Sequence, residues 1–413
     1  MFKRFINNWL FIAIIILASL IIGLRTGNGF FYFFFWFLLS TMTINLGWLA
    51  LQFFGAKIVI TRKNIKKINE DESLEIEVSV ENKSFLPVFN PILQDDLSCA
   101  ALGERQRLIL LDYLKPRSTL EFKYTCVCPQ RGRYRLGPLA IYFFDPQGIF
   151  YLKKVYPAYS EVYVYPKTFP INNFPPLAKG ILPWFGINTS RTGGDDDEFF
   201  GIREYRQGDP IKRIHWASTA RHNKLIVKQF QNQNYAKATI IFNLEKDKNF
   251  GEGKESIAEY TIKIAASVVN YLTARNIPIK IMAHTGEVVN IPFNRGEEHL
   301  EDIMKFLAGA QVESRTSLAE IFEEFSRFIS NENTLIVIAL DKDWQGILAS
   351  LPLDKRNISI VPLILLSSTF LYPGASVDKE KIIGDEKFDF TGLLNFNPLF
   401  FSRGDNLTDI FTK

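Results

Sequence analysis

The chain opens with two long apolar runs that contain no charge. Phe5 to Leu24 and Phe30 to Phe54 each exceed the roughly eighteen residues expected of a membrane-spanning helix. At about 1.5 Å per residue, either run crosses a hydrocarbon core of roughly 30 Å. Arg25-Thr26-Gly27-Asn28-Gly29 makes a short polar turn between them. The pattern predicts a hairpin of two N-terminal transmembrane helices. A cleaved signal peptide is the plainer alternative. No small-x-small cleavage site separates the runs, however, and the second would stay unexplained.

From Ala56 to Pro166 the period changes to two. Leu74, Ile76, Val78 and Val80 alternate with Glu75, Glu77, Ser79 and Glu81. Leu120, Phe122, Tyr124, Cys126 and Cys128 form a second alternating set. Each run gives an antiparallel strand one buried and one solvated face. Glu81-Asn82-Lys83-Ser84, Gln130-Arg131-Gly132 and Asp145-Pro146-Gln147-Gly148 supply turns between strands. Many short strands with regular breaks predict an antiparallel β-sandwich. Lys167 to about Asp197 is rich in Pro, Gly, Asn and Thr and reads as a linker or loop.

From Ala236 onward, continuous apolar runs alternate with helical periods. Ala238 to Leu244, Ile277 to Ala283, Leu335 to Leu340 and Ile358 to Leu366 read as buried strands, and Val288 to Phe293 as a shorter one pairing with the second. Ser256 to Ala274, His299 to Leu307 and Leu318 to Ile329 read as helices. This alternation predicts a doubly wound α/β sheet. The expected organisation is therefore a transmembrane hairpin (1–55), a β-sandwich (56–166), a linker with a signature motif (167–235), an α/β domain (236–380) and a weakly patterned tail (381–413).

Charge placement orients the hairpin. Lys3 and Arg4 precede the first run; Lys57, Arg62, Lys63, Lys66 and Lys67 follow the second; the connecting turn carries only Arg25. The positive-inside rule puts both ends in the cytoplasm. A multi-pass protein of the cell membrane follows, with cytoplasmic soluble domains and the lipid bilayer as its first partner. The net charge of +4 is mild for 413 residues and gives no support for nucleic-acid binding. Cys126 and Cys128 share one strand face, a spacing unlike a zinc knuckle or a redox pair, and read as buried free thiols.

The most distinctive stretch runs from Phe200 to Gln229. Arg203, Arg206, Arg213 and Arg221 crowd near Glu204 and Asp209. Asp209 is a good N-cap and Pro210 fits a first helical position, so a short helix carrying Trp216 is expected, with the indole buried. An internal ion network and a docking surface for an acidic partner both fit these residues. Tyr205 and Trp216 give too little aromatic interleaving for base stacking.

Arg203-Glu204-Tyr205, Gly208-Asp209, Arg213-Ile214, Trp216 and Ala220-Arg221 resemble the signature of the domain-of-unknown-function 58 family. Arg131-Gly132-Arg133-Tyr134, Gly137-Pro138 and Asp145-Pro146-Gln147-Gly148-Ile149-Phe150 resemble its second motif. The resemblance implies a von Willebrand factor A-like domain in the α/β region. It further implies an adaptor or scaffold associated with MoxR-type AAA+ ATPases and transglutaminase-like membrane proteins. An A-type domain binds a divalent cation through Asp-x-Ser-x-Ser, a Thr and an Asp. Here Asn243, Glu245 and Asp247 stand in the first three places, with Thr316 and Asp341 in the others. Two small hydroxyls have become carboxylates, and magnesium tolerates such bulk poorly. The expectation is a degenerate site without a cofactor, with a bound divalent cation as the alternative.

No nucleophile motif accompanies His215, His222, His284 or His299. A non-catalytic membrane adaptor is thus expected. A hydrolase, or a module binding lipid or cell-wall precursors at the cytoplasmic face, stands as the alternative.

Overall fold

A computed structural model describes residues 3–63, 67–175, 187–206, 209, 211–235, 237–326, 333–350, 359–371 and 398–411. The chain divides into two units, Met1–Tyr165 and Pro166–Lys413.

The first unit begins with helices α1 (Lys3–Thr26) and α2 (Gly29–Gly55). Gly27 takes φ of 66° in the turn, and Asn28 caps α2 by accepting from the Phe30 amide at 3.0 Å. Among the described residues, α2 is the one helix long and apolar enough to cross a membrane. Its hydroxyls bond within the helix. Ser40 and Thr41 donate to the Phe37 carbonyl at 2.9 and 2.8 Å, and Thr43 donates to Leu39 at 2.8 Å. Such bonds let a polar side chain face an apolar medium without an orphaned group. The last two turns differ. Gln52 donates to the Pro87 carbonyl at 3.0 Å, and Trp48 and Phe53 meet the rings of Phe89 and Phe143.

Small sheets follow. One joins β1 (Ile58–Arg62), β3 (Ser73–Asn82) and β8 (Ser118–Val127). A second joins β11 (Tyr151–Tyr156), β10 (Leu139–Phe144), β5 (Ile92–Asp96) and β6 (Gln106–Leu110). A third joins β2 (Ile68–Asn69), β12 (Ser160–Tyr165) and β9 (Gly132–Leu136), and β4 (Val88–Phe89) pairs with β7 (Tyr113–Leu114). One core draws Leu74 to Val80 from β3, Leu93 from β5, Phe143 from β10 and Val162 from β12. The alternation expected of β3 holds along its length, whereas on β8 Leu120 is exposed and burial begins further along. Arg62, one of the basic residues after the apolar runs, turns inward. It is buried against Asp95, which also accepts from the Tyr124 hydroxyl. The Asp145 turn closes on itself: the carboxylate accepts from the amides of Gln147 at 3.2 Å and Phe150 at 2.6 Å.

In the second unit, β13 (Ile187–Glu204) and β14 (Ile226–Tyr235) form an irregular antiparallel hairpin. The expected linker is thus a strand from Ile187 onward; residues 176–186 lie outside the described set. A six-stranded mixed sheet follows in the order β17 (Val288–Asn294), β16 (Ile279–His284), β15 (Lys237–Asn243), β18 (Asn333–Leu340), β19 (Ser359–Leu365) and β20 (Leu399–Phe401). All neighbours are parallel except β16 and β17. The expected tail therefore contributes a strand, β20.

Successive residues of β15 point to opposite faces. Phe242 meets Phe306 of the helix α5 (Glu297–Gly309), while Ile241 belongs to a core with Phe322, Phe325, Trp344 and Ile347. Helices thus cover both faces of the sheet, which explains why β15 is buried from Ala238 to Phe242. Chain order reverses between β15 and β18, and at such a point the carboxyl ends of the strands open a crevice.

Candidate functional site

Candidate functional residues gather in two places, the signature hairpin and the carboxyl edge of the sheet. In the hairpin, Arg203 of β13 grips Asp209 with both guanidinium ends, each at 2.7 Å. Asp209 also accepts from the Arg206 amide at 2.8 Å. The Arg203 contact, then the Arg206 amide, hold its carboxyl below the ordinary range. Asp209 therefore clamps its own loop and does not cap the helix that carries Trp216. That helix, α3 (Trp216–His222), is capped by His215, whose Nδ1 accepts from the Ser218 amide at 3.2 Å. At its other end Asn223 takes the left-handed conformation, with φ of 50°. Thr219 of α3 accepts from the Ile226 amide at 3.1 Å, and the Ile214 backbone bridges to Val227, so β14 holds the helix in place.

Trp216 contradicts its expected burial. It is 64% exposed, and Ile211, earlier in the same stretch, is 71% exposed. The first position of a seven-residue helix pinned through His215 and Thr219 leaves the indole outside, because the residue that plugs the gap toward β14 is Ile214, 7% exposed. Around these apolar groups the chain places charge. Arg221 and Lys212 are exposed, Arg213 is half-buried, and Glu204 pairs with Lys224 at 2.9 Å. Tyr205 is half-buried and its amide donates to Leu225. Gly208 lies outside the described residues.

At the carboxyl edge, the five expected metal-site residues separate into four groups. Asn243 donates to the backbone carbonyl of Thr316 at 2.7 Å, so these two fasten a loop. Asp341 turns toward β19 and accepts from the Lys342 amide at 3.0 Å and the Ser367 amide at 3.3 Å. Glu245 meets the Lys248 ammonium at 2.9 Å, and the same ammonium meets Asp343 at 2.8 Å. Asp247 is exposed. Among the described residues, no three of Glu245, Asp247, Asp341 and Asp343 bring carboxylate oxygens within 4.8 Å of one another.

The donor set fits a divalent ion poorly. A lysine ammonium stands between the two inward carboxylates: it donates to Asp343 and forms an ion pair with Glu245, whose Oε2 is buried without a hydrogen bond among the described residues. Burial opposes the Lys248 charge, but Asp343 and Glu245 outweigh it and raise its pKa. Both carboxylates belong to a small pocket lined also by Asn243, Leu244, Ile257 and Leu340. Asp343 was missed in the sequence because Asp341 better matches the A-type spacing; the Asp-Lys-Asp run after β18 was the available signal.

Nearby, His284 Nδ1 lies 2.7 Å from the buried Ser314 hydroxyl. That hydroxyl is also 3.2 Å from the Thr316 carbonyl, which makes the pair a loop fastener.

Comparison with known proteins adds one assignment. No curated protein matches the chain. Among solved structures, a CARDB domain from Pyrococcus furiosus is 16% identical, covering 26% of this chain and 88% of its own, with a TM-score of 0.20. A β-glucosidase from Listeria innocua is also 16% identical, over 26% of this chain and 16% of its own, with a TM-score of 0.17. A PapD-like domain of human CEP192 is 10% identical, over 26% and 84%, with a TM-score of 0.18. Residues 201–361, from the signature hairpin to β19, match the family model described as a protein of unknown function, DUF58, and over these residues the chain carries a DUF58 domain.

Proposed function

We propose that this chain is a membrane-anchored adaptor whose DUF58 domain docks a partner protein, a MoxR-type AAA+ ATPase, through the surface around Trp216. The observation that carries the reading is the exposed indole itself. Large aromatic side chains held outside by an ordered frame are the groups that anchor protein interfaces, especially beside arginine. Trp216 and Ile211 stand in such a frame, built by the Arg203–Asp209 clamp and the His215 cap. The surrounding Lys212 and Arg221 suit an acidic partner face.

In this reading α1 and α2 both span the membrane, the small sheets form a β-sandwich at its cytoplasmic face, and the mixed sheet is a von Willebrand factor A-like domain. The anchoring of Gln52 and Trp48 supports that arrangement. It leaves α2 from Gly29 to about Gly47 for the bilayer, which at about 1.5 Å per residue is close to the core thickness. The A-like domain works without a metal, since Lys248 supplies the positive charge that the carboxylates need. A transglutaminase-like membrane protein is a further partner of the same assembly.

Affinity capture of the full-length chain from membranes tests the reading. A MoxR-type ATPase should be retained with the wild-type chain. Its absence from the captured material under all nucleotide states contradicts the proposal.

A further inference from the structure

The core of the first unit holds a cluster that the adaptor reading leaves unused. Cys126 lies on the buried face of β8, Cys128 follows two residues later, and Cys99 comes from the turn after β5. All three are free and buried. Their sulfurs all lie within 4.8 Å of one another, and those of Cys99 and Cys126 are 3.9 Å apart. An ion bonded to three thiolates at about 2.3 Å sits at the centre of a triangle with sides of roughly 4 Å. Sulfurs in van der Waals contact have nearly the same spacing, so the cluster accepts an ion with little rearrangement. Among the described residues, no fourth His, Cys, Asp or Glu joins the group. Soft thiolates suit both zinc and monovalent copper, but structural zinc takes four ligands, whereas monovalent copper is content with three.

We propose that Cys99, Cys126 and Cys128 form a trithiolate site for the cuprous ion, independent of the adaptor reading. Loading forms three copper–sulfur bonds and breaks three S–H bonds. The protons pass to solvent, and no electron is transferred. The core gains two negative charges. Arg62 is a buried cation of the same unit. Its guanidinium reaches Asp95, which accepts from Tyr124, two residues before Cys126. Arg62 Nε and Nη1 are buried with no hydrogen-bond partner among the described residues.

The test uses the full-length chain in detergent, reduced and anaerobic. Cuprous ion is offered as its bicinchoninate complex, and zinc as a chelate in a parallel arm. One copper per chain should leave the chelator. X-ray absorption should find three sulfurs at about 2.3 Å, the length of a metal–thiolate bond. Cys99→Ala, Cys126→Ala and Cys128→Ala should each abolish the transfer, with melts of the metal-free variants reporting whether they fold. Copper that stays with the chelator in the wild-type arm overturns the proposal whatever the variants do. So does a shell with fewer than three sulfurs, or zinc held in preference with an added oxygen ligand.

Discussion

Asp209 shows how one side chain organises the signature. It receives a two-pronged arginine and a backbone amide, and its carboxyl is held low by both. A carboxyl whose folded pKa is depressed stabilises the fold above its unfolded pKa of about 3.9, and that contribution is lost as pH falls through the folded value. Asp209→Asn should therefore melt below the wild type from pH 7 to about pH 5, and the gap should close in more acid solution. A gap that stays constant down to about pH 2 contradicts the clamp. The two tryptophans of the DUF58 domain separate packing from docking. Trp344 is 1% exposed and Trp216 is 64% exposed. Trp344→Ala should cost about 3–5 kcal/mol in denaturant melts, whereas Trp216→Ala should fall within about 0.5 kcal/mol of the wild type. A large loss for Trp216→Ala means that the indole is part of the core.

At the scale of elements, the carboxyl edge of the sheet carries its own cation. Lys248 bridges the loop after β15 to the turn after β18, 95 residues away. Removing the ammonium leaves two facing carboxylates that repel unless a cation enters. Lys248→Ala should thus lower the melting temperature in metal-free buffer, and millimolar magnesium or calcium should restore part of the loss. The wild type should show no such response. Metal stabilisation of the wild type equal to that of the variant contradicts the internal-cation account. The elements also show what a sequence reveals. The alternation of β3 and the apolar run of β15 were legible because burial on one face or two leaves a local period. The helical period of Ser256 to Ala274 marked α4 (Ile257–Ala274), which Ser256 caps by accepting from the Glu259 amide at 3.4 Å. The Lys248–Asp343 pair was illegible because it joins distant loops. β20 has only three residues, too few for a period. Trp216 was misread because the cap of α3 is His215, and moving the cap from Asp209 changes which residues of the stretch face β14.

At the scale of the whole molecule, the proposed function joins a membrane anchor to a docking surface. The anchor has its own test. A cysteine placed after Lys413 should resist membrane-impermeant maleimide in intact cells and react after lysis. Labelling in intact cells places the tail outside and contradicts the inward orientation drawn from Lys3, Arg4 and Lys57. The central claim is that the partner docks on the indole surface of the DUF58 domain. The most direct measurement is the dissociation constant of a MoxR-type ATPase for the reconstituted full-length chain, compared among the wild type, Trp216→Ser and the double variant Glu245→Ala, Asp341→Ala. Trp216→Ser should weaken binding by more than about tenfold, a loss of about 1.4 kcal/mol or more, while the double variant binds as the wild type does. Undiminished binding by a folded Trp216→Ser chain, with binding lost in the double variant, would move the docking site to the carboxyl edge and contradict the account.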